Sequence, residues 1–305
     1  MDIINLDTNV IQALEFFRDN PPPVVDVQRF NLPLVVGSGN AYNTGLILFG
    51  GKAALFADES NMKHLVDALS TVISQRVITD AVIISASGEK DSVWEVGLAK
   101  QKGVRTTLLT TKPQSSAAQI ADTVISFRSI PEPYTYNVST YMGMIMGATR
   151  ENPSSIIEHI NTLTFPKQFG SYTAYSFVIP DAFAPVCPML DIKKSELFGP
   201  HLSLRAFSEG QARHAKFVIR SEKELVISIG VENTYYGNPE HRWHISIPND
   251  IRAAGIMAIT YYIVGKIQES KPPYYKEHIE AYTRDYGPKA YGKTQPFDVI
   301  VPGSS

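Results

Sequence analysis

The feature that most constrains this chain is an alternation in its first half, where short apolar runs are each followed by a stretch of helical spacing. Residues 32–36, 53–57, 81–85, 106–110 and 123–127 read as strands, and 62–74, 93–102 and 115–121 as the helices between them. A further apolar helix opens after residues 37–45. Strands that are apolar on both faces fit a parallel sheet covered by helices on each side. Such sheets hold ligands at the C-terminal ends of their strands. The loops leaving these strands are therefore where function is expected.

Two of those loops are built from small residues. The run Ala81-Val82-Ile83-Ile84 ends in Ser85-Ala86-Ser87-Gly88-Glu89-Lys90 before a helix-like segment, and the earlier strand ends in Gly37-Ser38-Gly39-Asn40-Ala41. A glycine lets backbone approach an anion, hydroxyls donate hydrogen bonds, and a helix start adds unpaired N–H groups and a positive dipole end. This is the chemistry of a phosphate seat. The same pattern also forms an ordinary tight turn before a capped helix.

Elsewhere, residues 9–18 have the spacing of an amphipathic helix, which ends before Pro21-Pro22-Pro23 because proline cannot continue it. Residues 140–147 read as a helix and 150–170 as a helix plus linker. A second alternating half follows, with strands at 175–179, 202–207, 224–229 and 244–247 and helices at 186–197 and 250–270. Its first strand ends in Pro180-Asp181-Ala182 rather than a glycine-rich turn. We read this half as lacking a phosphate loop of its own. The expected division is a helix and linker over 1–30, one domain over 31–150, and a second with a C-terminal tail over 151–305.

At 305 residues there is chain enough for two domains with separate cores. A net charge of −2 advertises neither nucleic acid nor an anionic membrane as partner, so any anion must be held locally. The longest apolar stretch, 253–265, is too short to span a bilayer and contains Thr260, Tyr261 and Tyr262. The opening residues lack the basic and apolar regions of a secretory leader. A single cysteine, Cys187, allows no intrachain disulfide and no thiolate cluster, which fits a reducing cytoplasm. His241 and His244 are spaced i, i+3 on an expected strand and point to opposite faces, so no metal site is expected, nor any organic cofactor. The aromatic tail from Pro272 to Tyr286 reads as a packing or subunit contact.

Taken in order, four motifs resemble the sugar isomerase (SIS) family, above all the isomerase domain of glucosamine-6-phosphate synthase and related amino-sugar-phosphate deaminases and deglycases. Gly39-Asn40-Ala41-Tyr42-Asn43-Thr44-Gly45 is similar to that family's Gly-Thr-Ser-Tyr-Asn-Ser-Gly loop, and Ser85-Ala86-Ser87-Gly88-Glu89-Lys90 to its Ser-Gln-Ser-Gly-Glu-Thr phosphate loop. Gly210-Gln211-Ala212-Arg213-His214 resembles Gly-Glu-Phe-Arg-His, and Pro288-Lys289-Ala290-Tyr291-Gly292-Lys293-Thr294 resembles Pro-Arg-Asn-Leu-Ala-Lys-Ser. The implied fold class is α/β, with two tandem SIS-type domains, each a parallel sheet flanked by helices on both faces. No glutaminase domain stands before these motifs, so an intact glutamine-dependent synthase is not expected.

The resemblance implies a sugar phosphate as ligand, gripped by Gly39, Asn40, Ala41, Ser85, Ala86, Ser87, Gly88 and Lys90. It implies an aldose–ketose isomerase, or a deaminase or deglycase of an amino-sugar 6-phosphate. Glu196 would move the proton, His214 would assist ring opening, and Lys293 would contact the carbonyl. A homodimer or higher homo-oligomer is implied as well. The bare residues also allow a solvated Glu196 at a helix end, a surface His214 in a basic loop and a Lys293 left in water. Lys90 stands where the family has threonine, and it either binds the anion as a point charge or turns outward. Asn40 and Ala41 replace a Thr-Ser pair, and Gln211 replaces a glutamate with a group that cannot carry a proton. These departures keep a non-catalytic sugar-phosphate sensor open beside the enzyme.

Overall fold

The apolar runs of the first half become one sheet. In the computed structural model, which describes residues 3–285 and 298–303, β1 (Leu34–Gly37), β2 (Leu55–Ala57), β3 (Asp80–Ile84), β4 (Arg105–Thr110) and β5 (Thr123–Ser126) pair in parallel in the order β2-β1-β3-β4-β5. The strand period of two sends Leu34, Val36, Ala81 and Ile83 to one face. There they form a core with Met62 and Val66 of α3 (Met62–Ala68), Val96 and Ala99 of α5 (Asp91–Gln101) and Ala117 of α6 (Ser116–Ile120). The opposite face takes α2 (Asn40–Phe49), whose Gly45 lies against Val35 and Ile84. Helix α7 (Val138–Thr149) packs on α2.

The second half repeats the plan. β7 (Ala174–Ile179), β8 (Ser203–Ser208), β9 (Glu224–Ile229) and β10 (Arg242–Ile245) are parallel in the order β10-β9-β7-β8, so the first strand again lies between the second and the third. Its helices are α8 (Pro153–Asn161), α9 (Val186–Phe198), α10 (Glu209–His214), α11 (Ala253–Glu269) and α12 (Tyr274–Asp285). A short antiparallel pair, β6 (Glu132–Pro133) with β11 (Ile300–Val301), belongs with the first sheet's residues.

The chain forms two compact units. One holds residues 19–150 with those after 280; the other holds residues up to Arg18 with Glu151–Glu280. Helix α1 (Leu6–Asp19) enters the second of these through its first turns: the Leu6 N–H donates to Gln268 Oε1 (2.9 Å) and Asp7 pairs with Lys266 (2.9 Å).

Three elements differ from their sequence pattern. The helix expected over 62–74 breaks at Leu69 into α3 and α4 (Ser70–Ser74). The strand expected over 244–247 lies two residues earlier, because the turn Pro239–His241 ends where β10 can pair with β9. The helix expected from 250 starts at Ala253, where the Glu151 carboxylate accepts the Arg252, Ala254 and Gly255 N–H groups at 2.6–2.9 Å. Among the described residues no helix is long and apolar enough to cross a membrane.

Candidate functional site

In a sheet ordered 2-1-3-4-5 the chain changes direction between β1 and β3, and the loops leaving these two strands part to opposite faces of the sheet. Here Gly37 and Ile84 are register partners, so residues 38–41 and 85–90 leave the sheet side by side. The sequence-derived binding residues Gly39, Asn40, Ala41, Ser85, Ala86, Ser87, Gly88 and Lys90 are thus brought to one edge.

The second loop is held by its carbonyls. Ala86 O accepts from the Thr110 and Thr111 hydroxyls (3.1 and 2.8 Å) and from the Thr111 N–H (3.2 Å), and Gly88 O accepts from Ala117 N–H (2.9 Å). Glu89 Oε1 accepts the Ser116 N–H at 3.1 Å and so caps the start of α6. The Gly88 and Glu89 N–H groups donate to Ser85 Oγ (3.1 Å) and Ser87 Oγ (3.3 Å), which leaves each hydroxyl its own proton to donate outward. Gly88 has φ 62°, and a Cβ there would collide with the Ser115 side chain. Ser115, Thr110 and Thr111 were not among the sequence candidates, although Ser115 before Ser-Ala-Ala-Gln-Ile carries the mark of a helix cap.

Among the described residues neither helix of the switch point has a side-chain cap. The N-cap of α2 is Gly39 (φ 56°, ψ −121°) and that of α5 is Lys90 (φ 64°, ψ −130°). The backbone conformation is the same at both, but only glycine adopts it without strain. Held in it, Lys90 carries strain of order 1–3 kcal/mol of the kind that collects at functional sites. At the first position of α2, Asn40 is only 8% exposed, and its Oδ1 is buried with no hydrogen-bond partner among the described residues.

One turn into α5, Glu95 is 1% exposed. Burial pushes its carboxyl up to about 8, and the neighbouring carboxylates Asp91, Glu59 and Asp58 push in the same direction. It is neutral at pH 7. Nothing in its sequence context marked it.

In the second sheet a carboxylate reaches the helix that follows β8. Asp181, just after β7, accepts the Gly210 N–H at 2.8 Å, and Ser208 and Gln211 bond each other reciprocally across the start of α10. The Ser208 hydroxyl, then the Gly210 N–H, holds the Asp181 carboxyl below its usual range. An internal carboxylate thus occupies the start of the helix that follows β8, whereas α9, which follows β7, has Pro185 as its N-cap and no side-chain cap among the described residues.

Glu196 and His214 lie in this same unit, at opposite ends of β8. Glu196 is in the last turn of α9, before the strand, and is paired with the fully buried Lys193 (2.6 Å). His214 is exposed in the last turn of α10, after the strand. Lys293 lies outside the described residues. Cys187 is buried, which lifts its thiol to about 12. His241 bonds Tyr172 Oη and Glu222 (both 2.9 Å), while His244 bonds Ser228 and Ser246 (3.1 and 3.2 Å).

No protein-family model and no curated protein matches this chain. Among solved structures it is similar to glucosamine-6-phosphate deaminase from Thermotoga maritima (15% identical, TM-score 0.58, covering 86% of this chain and 92% of that one). It is similar also to the C-terminal domain of glucosamine-fructose-6-phosphate aminotransferase from Francisella tularensis (12%, 0.55, 87% and 93%). A third likeness is to tagatose-6-phosphate ketose/aldose isomerase from Escherichia coli (13%, 0.56, 88% and 92%). The chain therefore has the α/β fold of these proteins, as the motif resemblance implied.

Proposed function

We propose that this protein is an SIS-type sugar-phosphate protein of two tandem domains, which seats its ligand's phosphate on Ser85, Ser87, Gly88 and Lys90. One observation carries this reading. At the first sheet's switch point, among the described residues, two helices start without side-chain caps beside the Ser85 and Ser87 hydroxyls. Helix starts of this kind bind phosphate. The orphaned Asn40 Oδ1 supplies an acceptor for a sugar hydroxyl.

The activity that fits best is aldose–ketose isomerisation, or deamination or deglycation of an amino-sugar 6-phosphate. Glu196 would transfer the proton, with His214 assisting ring opening and Lys293 at the carbonyl, each acting by ordinary acid–base and electrostatic means. In this reading the protein works in the cytoplasm as a homodimer or larger homo-oligomer. A second reading, a regulator that binds sugar phosphate without converting it, is favoured by Gln211, whose side chain is committed to the cap of α10.

Thermal shift with fructose 6-phosphate and glucosamine 6-phosphate tests the seat, since a ligand bound only by the folded chain stabilises it by about 2.7 kcal/mol at a hundredfold excess over Kd. Assay of product with the same two compounds separates the readings. Turnover abolished by Glu196→Gln supports the enzyme; a shift without turnover supports the regulator. No shift with either compound would remove the seat.

A further inference from the structure

Glu95 is a buried group that the proposed chemistry does not use. Its side chain lies between the first turn of α5 and the loop joining β2 to α3, and Oε1 has no hydrogen-bond partner among the described residues. The groups that face it are acidic. Asp91 comes from its own helix, four residues before it, and Asp58 and Glu59 from the β2–α3 loop. Of the other elements packed on α5, α3 offers Lys63, whose ammonium sits 5.0 Å from the Trp94 ring, the exposed His64, and Asp67, already paired with Lys102. β3 and β4 offer the Asp80–Arg105 pair at their N-terminal ends, and α6 has no charged side chain.

A helix rises about 1.5 Å per residue, so Glu95 lies about 7.5 Å along α5 from its N-cap, Lys90. We infer that Glu95 is a proton-controlled regulator of the Ser85–Lys90 seat, buried in its neutral form one turn below the bound anion and repelling that anion once the proton leaves. The inference rests on the phosphate reading above. A carboxylate at that place adds a negative charge screened by little water, about one turn along the helix whose start receives the phosphate. Three carboxylates around it make a negative field that one more charge turns further against the ligand.

The sign follows directly. Glu95 holds its proton up to about pH 8. Over that step the ligand's own phosphate stays doubly ionised, since its second pKa is near 6. Affinity therefore falls as pH rises through the Glu95 titration, and Glu95→Gln, which keeps the neutral shape, removes the fall. By linkage, bound anion also raises the proton affinity of Glu95 by the same factor.

The test is calorimetric titration of the full chain with fructose 6-phosphate, and with inorganic phosphate as the sugar-free probe, from about pH 7 to about pH 9, where the ester is dianionic. Wild type is expected to lose about fivefold or more in affinity across this range, and Glu95→Gln less than about twofold. Glu59→Gln, at an exposed site, removes one of the carboxylates that hold the Glu95 proton and is expected to move the wild-type fall to lower pH. Parallel profiles in all three proteins would overturn the role of Glu95 while leaving the seat. No binding by any of them at any pH would overturn the seat itself, and the inference with it.

Discussion

Lys90 shows how much one residue can say. Its backbone is held where glycine belongs, and the neighbouring loop keeps it there through Ala86 O, Gly88 O and Glu89 Oε1. Lys90→Gly relieves the strain, so the fold is expected to gain up to about 1–3 kcal/mol in a urea melt. The same change removes the only cation of the loop, so affinity for fructose 6-phosphate is expected to fall about tenfold. A variant that lost stability would show that Lys90 is held by its side chain. Legibility at this scale was uneven: Gly88 and the serines stood out as a motif, whereas the strain at Lys90 is a dihedral angle that no residue name reports.

At the scale of elements, apolar periodicity was a sound guide wherever a strand is buried on both faces, as β1, β3 and β9 are. It misplaced β10 and the start of α11, where local capping decides the boundary. Glu151 is the clearest case, because it lies 101 residues before the helix it caps. Glu151→Ala leaves three N–H groups at the start of α11 without their acceptor, and a loss of about 2–4 kcal/mol is expected from chemical denaturation. Glu151→Gln retains one acceptor oxygen and is expected to lose less. Long-range caps of this sort, and the reciprocal Ser208–Gln211 cap at the start of α10, leave no periodic trace in a sequence.

For the whole molecule, the order of strands was out of reach of the sequence, and it is the order that sets the loops after β1 and β3, already marked by their small residues, side by side at one switch point. The two sheets share it: first strand between second and third, in each. What separates them is chemical. Asp181 is tethered by the chain to the Gly210 N–H it accepts, 29 residues on, so its effective concentration there is in about the millimolar range or above, and a dissolved anion must outcompete it. A chain with a doubled architecture is therefore expected to take up a single equivalent of sugar phosphate, and the stoichiometry of the calorimetric titration reads this directly. Two equivalents would mean that the carboxylate yields its place.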